Sequence, residues 1–246
     1  MGFFKKEKPP AVTAKKQLFD GDVDIRKDNW FEVFSASLGK VMANQQACSE
    51  LVVKGQDWNV DFTEGIISFG KDNYALQFIG SESLSSNSWL WGWENVNQFP
   101  DTVIELSTST KKAGKALGLD VLTTPEFELS DTFNGHKLSI VTCAISAEKF
   151  CYYRGPHSNG AIFVAFSDIP DAVFASVDIH RFISITTGCI REFQIDHKVF
   201  IQNFLYQNDT SYEWDDQSVI AHFEQDLRID FEQAGEFFRI SNMKTV

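Results

Sequence analysis

The sequence predicts an α+β protein in which antiparallel β-meanders carry helices packed outside them. Apolar residues recur at helical spacing in some segments and at every second position in others. Short turns separate the alternating segments, as expected for antiparallel neighbours, and the helical segments are grouped apart from them. A helix followed by a meander occurs twice, over residues 29–94 and 177–241, which suggests a pseudo-duplicated helix–meander unit.

The chain is predicted to consist of a tail and one domain. Residues 1–26 are rich in lysine, include Pro9 and Pro10 and show no hydrophobic period, which is typical of a flexible tail. Residues 27–246 are expected to form a single α+β domain, because a chain of this length with 43% hydrophobic residues can bury one large core.

Four helices are predicted. The first begins after the capping residue Asn29, with a glutamate three positions later. Its core-facing stripe consists of apolar residues at helical spacing: Trp30, Phe34, Leu38, Val41, Cys48 and Val52. The second begins at Pro100, which suits a first helical turn, and ends before Gly118. A third covers residues 131–147, and a long fourth helix runs over residues 177–206.

Two groups of strands are predicted from alternating apolar residues. The first group comprises residues 58–62, 67–69 and 74–78, followed by a tryptophan-rich strand at residues 88–94. The second group covers residues 214–240, after the long helix. Short polar turns join the strands of each group, so each group is expected to form an antiparallel meander.

The tryptophan-rich strand is the first candidate site. Trp89, Trp91 and Trp93 occupy every second position, so in an extended strand their indoles share one face. Exposed, they would form a stacking platform for a sugar ring, a base or a partner's arginine. Buried, they would pack against a helix, and this interpretation is favoured because three exposed indoles leave a large apolar patch. Glu94 and Asn95 directly follow as polar neighbours.

A hairpin supplies the second candidate site. Strands at residues 150–153 and 161–167 are predicted to be joined by a loop over residues 154–160, which is rich in turn-forming residues. Arg154 in this loop can bind a carboxylate or phosphate, and His157 lies beside it. A plain hairpin turn explains the same residues without a site.

Two stretches resemble a known family. Residues 77–83, leading into residues 88–95, are similar to the signature "GT-S…TWLWAWAN" of an uncharacterised bacterial family, a domain of unknown function. Further matches are Leu122–Pro125, Tyr153–Pro156 and Ala161–Asp168. The resemblance covers most of the chain from about residue 30, with Gly92 and Glu94 where the family pattern has alanine. It implies a bacterial, cytoplasmic protein and carries over no activity.

The charge is strongly negative. A net charge of −12 and a pI near 4.8 disfavour binding to nucleic acid. From residue 209 onward only Arg228, Arg239 and Lys244 oppose nine acids: Asp209, Glu213, Asp215, Asp216, Glu224, Asp226, Asp230, Glu232 and Glu236. Such a face suits a basic protein partner, but it is more often a solvated surface that maintains solubility.

No cofactor, metal site or stable membrane anchor is predicted. The four cysteines lack CxxC spacing and the five histidines lack metal-ligand spacing, so the thiols are expected to be free and buried in a reducing cytoplasm. His197 is interpreted as a core histidine. Apolar runs fall far short of the ~20 residues that span a bilayer, and no signal-peptide core follows the N-terminal lysines.

Two functions are left open, beside a third option in which the lysines of the tail dock the protein to an anionic membrane, which the acidic body disfavours. The first is a non-enzymatic binding or interaction module, adaptor-like or immunity-like, whose acidic surface binds a basic partner. The alternative is an enzyme acting on a small molecule or glycan at a pocket beside the tryptophan strand. The candidate ligand-binding residues for that pocket are Trp89, Trp91, Trp93, Glu94, Asn95, Arg154 and His157. No catalytic residue is singled out, and the oligomeric state is left open.

Overall fold

A computed structural model describes residues 15–21, 24–215 and 217–246. Within these residues five α-helices and two antiparallel sheets, of seven and four strands, form a mixed α+β fold, which confirms the predicted class. A helical segment precedes an antiparallel meander twice in the chain, as predicted. A common origin of the two units stays a prediction.

The elements are numbered in chain order. The helices are α1 Trp30–Cys48, α2 Asp101–Leu117, α3 Gly135–Ile145, α4 Ile179–Glu192 and α5 His197–Gln207. The strands of the larger sheet are β1 Trp58–Asp61, β2 Ile66–Phe69, β3 Asp72–Ser83, β4 Ser88–Trp91, β5 Glu126–Glu128, β6 Cys151–His157 and β7 Gly160–Phe166. The strands of the smaller sheet are β8 Ser211–Asp215, β9 Ser218–His222, β10 Asp226–Ala234 and β11 Phe237–Thr245.

The long strand β3 organises the seven-stranded sheet. Its first residues pair with β2, and its last four, Gly80–Ser83, pair with β4. On its other edge it pairs with β7, from Leu76 opposite Phe166 to Ser83 opposite Gly160. Strand β5 extends the sheet beyond β4, and β6 extends it beyond β7. The register shifts between Phe78 and Gly80, so β3 carries a β-bulge where its partners change.

The sheet is apolar on both faces because both are covered. Phe163 and Ala165 of β7 belong to the larger core, which joins one face of this sheet through α1, α3, α4 and α5 to the inner face of the four-stranded sheet. Val164 and Phe166 point the other way into a smaller core that includes residues of α2. Strand β7 is therefore a continuous apolar run.

Trp89 packs over Gly80, a position of the sheet that has no side chain. Gly80 of β3 lies beside β4, and a β-carbon on it would be 2.4 Å from the Trp89 ring and 2.6 Å from the Leu90 carbonyl oxygen. The indole therefore occupies the space above Gly80, and its ring meets Phe163 edge-on with centroids 5.5 Å apart. A glycine at position 80 is required by this close approach.

The predicted long helix is wrong, because the chain forms two helices there. Phe193 is extended, and α5 begins only after Asp196. The Asp196 carboxylate accepts hydrogen bonds from the backbone N–H groups of Lys198 and Val199, which makes it an N-cap, and from that of Phe238 in β11. The apolar stripe continues across this cap, so hydrophobic spacing alone predicts one helix.

The predicted hairpin loop is also too long. Strand β6 continues through His157 and β7 begins at Gly160, so only residues 158 and 159 form the turn. Pro156 is tolerated because β6 is an edge strand, where a missing N–H costs no ladder hydrogen bond. Gly155 fits because its α-carbon faces the ring of Trp58, leaving no room for a side chain.

The remaining helices start close to their predicted positions. Asn29 caps α1 as predicted, since its side chain accepts from the Glu32 backbone N–H. The reciprocal half of the capping box is absent, because the Glu32 carboxylate binds the backbone N–H of Arg26 instead. Helix α3 begins at Gly135, four residues later than predicted, because Asn134 is its N-cap. Helix α2 ends before Gly118, as predicted, and it begins at Asp101, one residue later than predicted, because Pro100 is its N-cap.

Part of the predicted N-terminal tail contacts the folded body. Residues 1–14, 22 and 23 lie outside the described residues. Within residues 15–21 and 24–26, Leu18 and Ile25 are buried in the larger core. The Lys15 ammonium donates to three carbonyl oxygens at the end of α3, those of Cys143 and Ser146 at 2.7 Å and that of Ala144 at 3.1 Å. These contacts satisfy carbonyls that the helix end leaves unpaired.

A charged network covers the outer face of the four-stranded sheet. The Asp230 carboxylate accepts from the Ser218 hydroxyl at 2.6 Å, from Arg228 Nε at 2.8 Å and from Asn242 Nδ2 at 3.1 Å. Arg228 also binds Asp215 across the sheet. Hydrogen bonds from Ser218, Asn242 and Arg228 lower the pKa of Asp230 to about 2.

Substituting Gly80 with alanine is expected to destabilise the protein by about 1–3 kcal/mol, because the added methyl group collides with Trp89 and with backbone. Gly188→Ala is the matched control. Nothing lies within 4 Å of a β-carbon at that helical position, so it should stabilise by up to ~1 kcal/mol. Urea unfolding of both variants measures the difference, and equal stabilities would contradict the packing described.

Acid unfolding is expected to depend on Asp230. Its pKa in the folded state lies below the ordinary value near 3.9, so its contribution to stability is complete above about pH 5 and is lost as the pH falls toward 2. Asp230→Asn should flatten the decline in unfolding free energy between pH 5 and 2. Asp72→Asn, which removes an exposed carboxylate in β3, is the control, and equal slopes for the two variants would refute the prediction.

Candidate functional site

The tryptophan segment is only partly extended. Strand β4 contains Trp89 and Trp91, whose ring centroids lie 5.3 Å apart and whose planes are nearly perpendicular. The chain then turns into a short 3₁₀-helix at Gly92–Glu94, so the prediction that Trp93 continues the strand is wrong. Gly92 allows this turn, because a β-carbon there would lie 2.6 Å from the Phe78 carbonyl oxygen.

Trp89 and Trp91 are core residues. Both are essentially unexposed, at 0% and 1%, so neither ring face is available for stacking on a ligand. The Trp91 indole N–H donates to the Val121 carbonyl oxygen at 2.9 Å, which ties β4 to the segment after α2. The Trp89 indole N–H is buried and has no hydrogen-bond partner among the described residues. The burial interpretation of these two residues is the one the geometry supports.

Trp93 and Asn95, which follow β4, make contacts that stabilise the loop in which they lie. The Lys111 ammonium from α2 lies 3.5 Å from the centre of the half-buried Trp93 ring, so a cation already covers that ring. Asn95 has a left-handed backbone with φ of 49°. Its side chain accepts from the Phe99 backbone N–H at 2.7 Å and donates to the Phe99 carbonyl at 2.9 Å. Glu94 is exposed.

Arg154 joins a polar cluster that the sequence did not reveal. Its Nε lies 3.8 Å from the Glu82 carboxylate, which also accepts the Gly135 backbone N–H at the start of α3. The adjacent His136 imidazole lies 3.3 Å from the Tyr152 hydroxyl. Burial lowers the pKa of His136, which Glu82 partly opposes, and burial raises the pKa of Tyr152. No local motif links these residues, since Glu82 in β3 is distant in sequence from the consecutive elements α3 and β6.

The predicted site residues do not converge in one pocket. Arg154 lies in β6, and three strand spacings, about 14 Å in all, separate β6 from β4 in the sheet. His157 is exposed at the end of β6, where its Nδ1 accepts the backbone N–H of Asn159 at 3.3 Å. The structure thus brings Arg154 together with Glu82 and leaves it apart from Trp93, Glu94 and Asn95.

A groove beside β8 is one concave feature of the acidic part of the chain, and another of about 690 Å³ is lined by residues 176–180 and 223–225. The groove beside β8 has a volume of about 610 Å³. It is lined by part of the N-terminal segment, by α5 and by β8 with the residues before it: Lys16, Gln202, Tyr206, Asp209, Thr210, Ser211, Tyr212, Glu213 and Trp214. We call this feature the β8 groove. In the sequence, the excess of acidic residues from residue 209 onward indicated this region of the protein.

One lysine of the chain already lies in the β8 groove. The Lys16 ammonium contacts the Asp209 carboxylate at 2.5 Å and donates to the Tyr206 carbonyl oxygen at 2.9 Å. The same ammonium lies 4.6 Å from the centre of the Tyr206 ring. A cation is favoured there by the carboxylate, by the carbonyl oxygen at the end of α5 and by the face of the aromatic ring. Farther along, Glu213 is exposed on β8 beside half-buried Trp214.

The described residues show neither a metal cluster nor a membrane span. No three His, Cys, Asp or Glu side chains among them are grouped to hold a metal ion. No helix in residues 15–21, 24–215 and 217–246 combines the length and apolarity needed to cross a bilayer. All four cysteines are buried free thiols. His197 is half-buried, and its Nδ1 accepts from the Ile240 backbone N–H at 3.0 Å.

Fold and site together define an α+β protein with two antiparallel sheets and an acidic, aromatic groove. Residues 32–169, more than half of the chain, match the model of the family of unknown function DUF6882, and the chain belongs to that family. No curated protein and no solved structure matches the chain. The matched region contains all segments on which the family resemblance rested, while the β8 groove lies outside it.

Trp91→Phe is expected to destabilise the protein by about 1 kcal/mol more than Trp89→Phe. Both variants replace a buried indole by a smaller ring, but only the first removes an N–H that donates to a carbonyl, that of Val121. Urea unfolding of the two variants measures the difference. Equal destabilisation would show that the Trp91 hydrogen bond contributes nothing.

Proposed function

We propose that this protein is a non-enzymatic interaction module that binds a basic protein partner through the β8 groove. The observation that supports this most directly is the contact of a lysine ammonium with Asp209 and Tyr206 in that groove. The groove therefore has the chemistry that recognises a basic side chain, and about 610 Å³ of space in which more than one such side chain fits.

The charge of the whole chain favours the same kind of partner. A net charge of −12 attracts a basic protein over distances of about a Debye length and speeds its association. Within the groove, the Asp209 side chain is 61% exposed and Glu213 is exposed, so both carboxylates are accessible. Long-range attraction and local contacts therefore act in the same direction.

Aromatic residues give the groove an apolar component. Tyr206 and Trp214 are half-buried, so part of each ring faces the groove side of the molecule. Lysine and arginine stems pack on such rings while their charged ends reach carboxylates. The ammonium of Lys198, which is not one of the groove-lining residues, lies 4.7 Å from the centre of the Trp214 ring, in line with the attraction of this indole for a cation. Aromatic residues of this kind are enriched at protein interfaces.

We further propose that the protein acts in the bacterial cytoplasm. Four buried free thiols support a reducing compartment, since secreted proteins of this kind usually form disulfides. The resemblance of the tryptophan segment supports a bacterial origin. No observation on the described residues favours the enzyme alternative, because its predicted site residues are separated in the fold.

Binding of a basic probe tests the proposed function. An acetylated hexalysine peptide is expected to bind the wild-type protein at low salt and to dissociate as salt rises, measured by fluorescence anisotropy. The double variant Asp209→Asn, Glu213→Gln should weaken binding by roughly tenfold, because it removes both groove carboxylates. Asn tolerates the left-handed backbone of residue 209, where φ is 57°.

The control is the double variant Asp72→Asn, Glu64→Gln. It removes the same two charges from exposed positions in the β1–β3 region of the other sheet. It should change affinity by less than about twofold, since only the general field is weakened there. Equal loss in both double variants, or no binding by the wild type, would overturn the proposal.

A further inference from the structure

We infer that the β8 groove contains a specific lysine-binding site, formed by Asp209 and Tyr206, and that Lys16 occupies it in place of a lysine of the partner. This inference rests on the proposed function and identifies the side chain by which the partner is recognised. It also makes Lys16 an internal competitor that the partner displaces.

The site has the geometry that an ammonium group requires. Three acceptors surround the Lys16 nitrogen, namely the Asp209 carboxylate, the Tyr206 carbonyl oxygen and the face of the Tyr206 ring. An ammonium is a compact point charge with three donors, so it can address three separate acceptors at once. A guanidinium is a planar fork that pairs best with two oxygens of one carboxylate. The site is therefore better suited to lysine than to arginine.

The end of helix α5 adds to the negative potential of the site. Tyr206 belongs to the last turn of α5, and its carbonyl oxygen accepts the backbone N–H of Asp209 at 3.3 Å in addition to the Lys16 ammonium. Asp209 follows two residues after the helix, with a left-handed backbone that directs the chain away from the helix axis into β8. The C-terminal end of a helix carries a partial negative charge, which adds to that of the carboxylate.

Lys16 is exchangeable because its segment is held elsewhere. Lys15 is anchored on the carbonyl oxygens at the end of α3, and Leu18 is buried in the larger core. The Lys16 side chain itself is 37% exposed and its partner Asp209 is 61% exposed. An ion pair this exposed contributes at most about 1 kcal/mol, so a partner's lysine can replace it without unfolding the segment.

Vacating the site should raise affinity for lysine. When an internal group occupies a binding site, the apparent affinity falls by the fraction of molecules in which the site is open. Lys16→Ala opens the site in every molecule, and the expected gain for the acetylated hexalysine peptide is about threefold to fivefold. Lys16→Gln, which keeps most of the side-chain length, should show the same gain if the alanine variant folds poorly.

Lys244→Ala is the matched control. It removes the same positive charge from an exposed position on β11, three strands away from β8. A gain due to net charge alone appears equally in Lys16→Ala and Lys244→Ala, whereas a gain due to the vacated site appears only in the first. Adding Asp209→Asn to Lys16→Ala should abolish the gain, because the carboxylate of the site is then lost.

An acetylated hexaarginine peptide of equal length and charge tests the specificity. Its affinity for Lys16→Ala should stay within about twofold of its affinity for Lys244→Ala. Equal hexalysine affinities of the two alanine variants would overturn the inference while the groove remained the docking surface. A gain with hexaarginine as large as with hexalysine would overturn the lysine specificity. Failure of every form to bind either peptide would overturn the proposed function itself.

Discussion

The indole of Trp89 fills the space that a side chain at position 80 would need, and much of the larger sheet follows from this contact. Strand β3 can pass under a tryptophan only because Gly80 has no side chain, and β4 can pair with β3 only if the indole fits above it. The same indole meets Phe163, which belongs to the strand on the other edge of β3. Three neighbouring strands are therefore fixed in register by one ring.

The helices of the larger core pack on the face of the larger sheet that Trp89 and Phe163 form. Phe163 lies against Gly135, where a β-carbon would be 2.3 Å from its ring, so α3 begins in close contact with the sheet. Glu82, in the same strand as Gly80, accepts the Gly135 backbone N–H. Helix α1 packs on α3 and α5 in turn, so the helical layer transmits the position of the larger sheet to the smaller one.

Hydrophobic periodicity carried most of the information about the fold. The two meanders, the start of α1 and, to within one residue, both ends of α2 could be predicted, because apolar spacing and capping residues are local signals. The break between α4 and α5 could not be located, because the apolar stripe continues across it, from the end of α4 at Glu192 to the cap at Asp196 that begins α5. The turn of Trp93 out of the strand depends on a glycine against the backbone of β3, a contact between separate strands.

The candidate site was less accessible to sequence reasoning. Tryptophans at alternate positions indicated that their side chains share one face of a strand. Burial of Trp89 and Trp91 was the favoured interpretation. An alternating pattern, however, does not tell which side of the sheet is covered by helices. The excess of acids after residue 209 indicated where a cation would be attracted. That Asp209 meets Lys16, far away in the sequence, depends on how the N-terminal segment crosses α5. Contacts between residues so far apart in the sequence produce no local sequence pattern.

The pairing of β3 with β7 has a consequence for the order in which the protein matures. These strands are far apart in the sequence, since Leu76 lies opposite Phe166. On the ribosome, the central ladder of the larger sheet cannot close until the chain has been synthesised through β7, and until then β3 exposes an unpaired edge. The four strands from residue 211 onward are sequential neighbours, so this sheet can form from strands that are synthesised one after another.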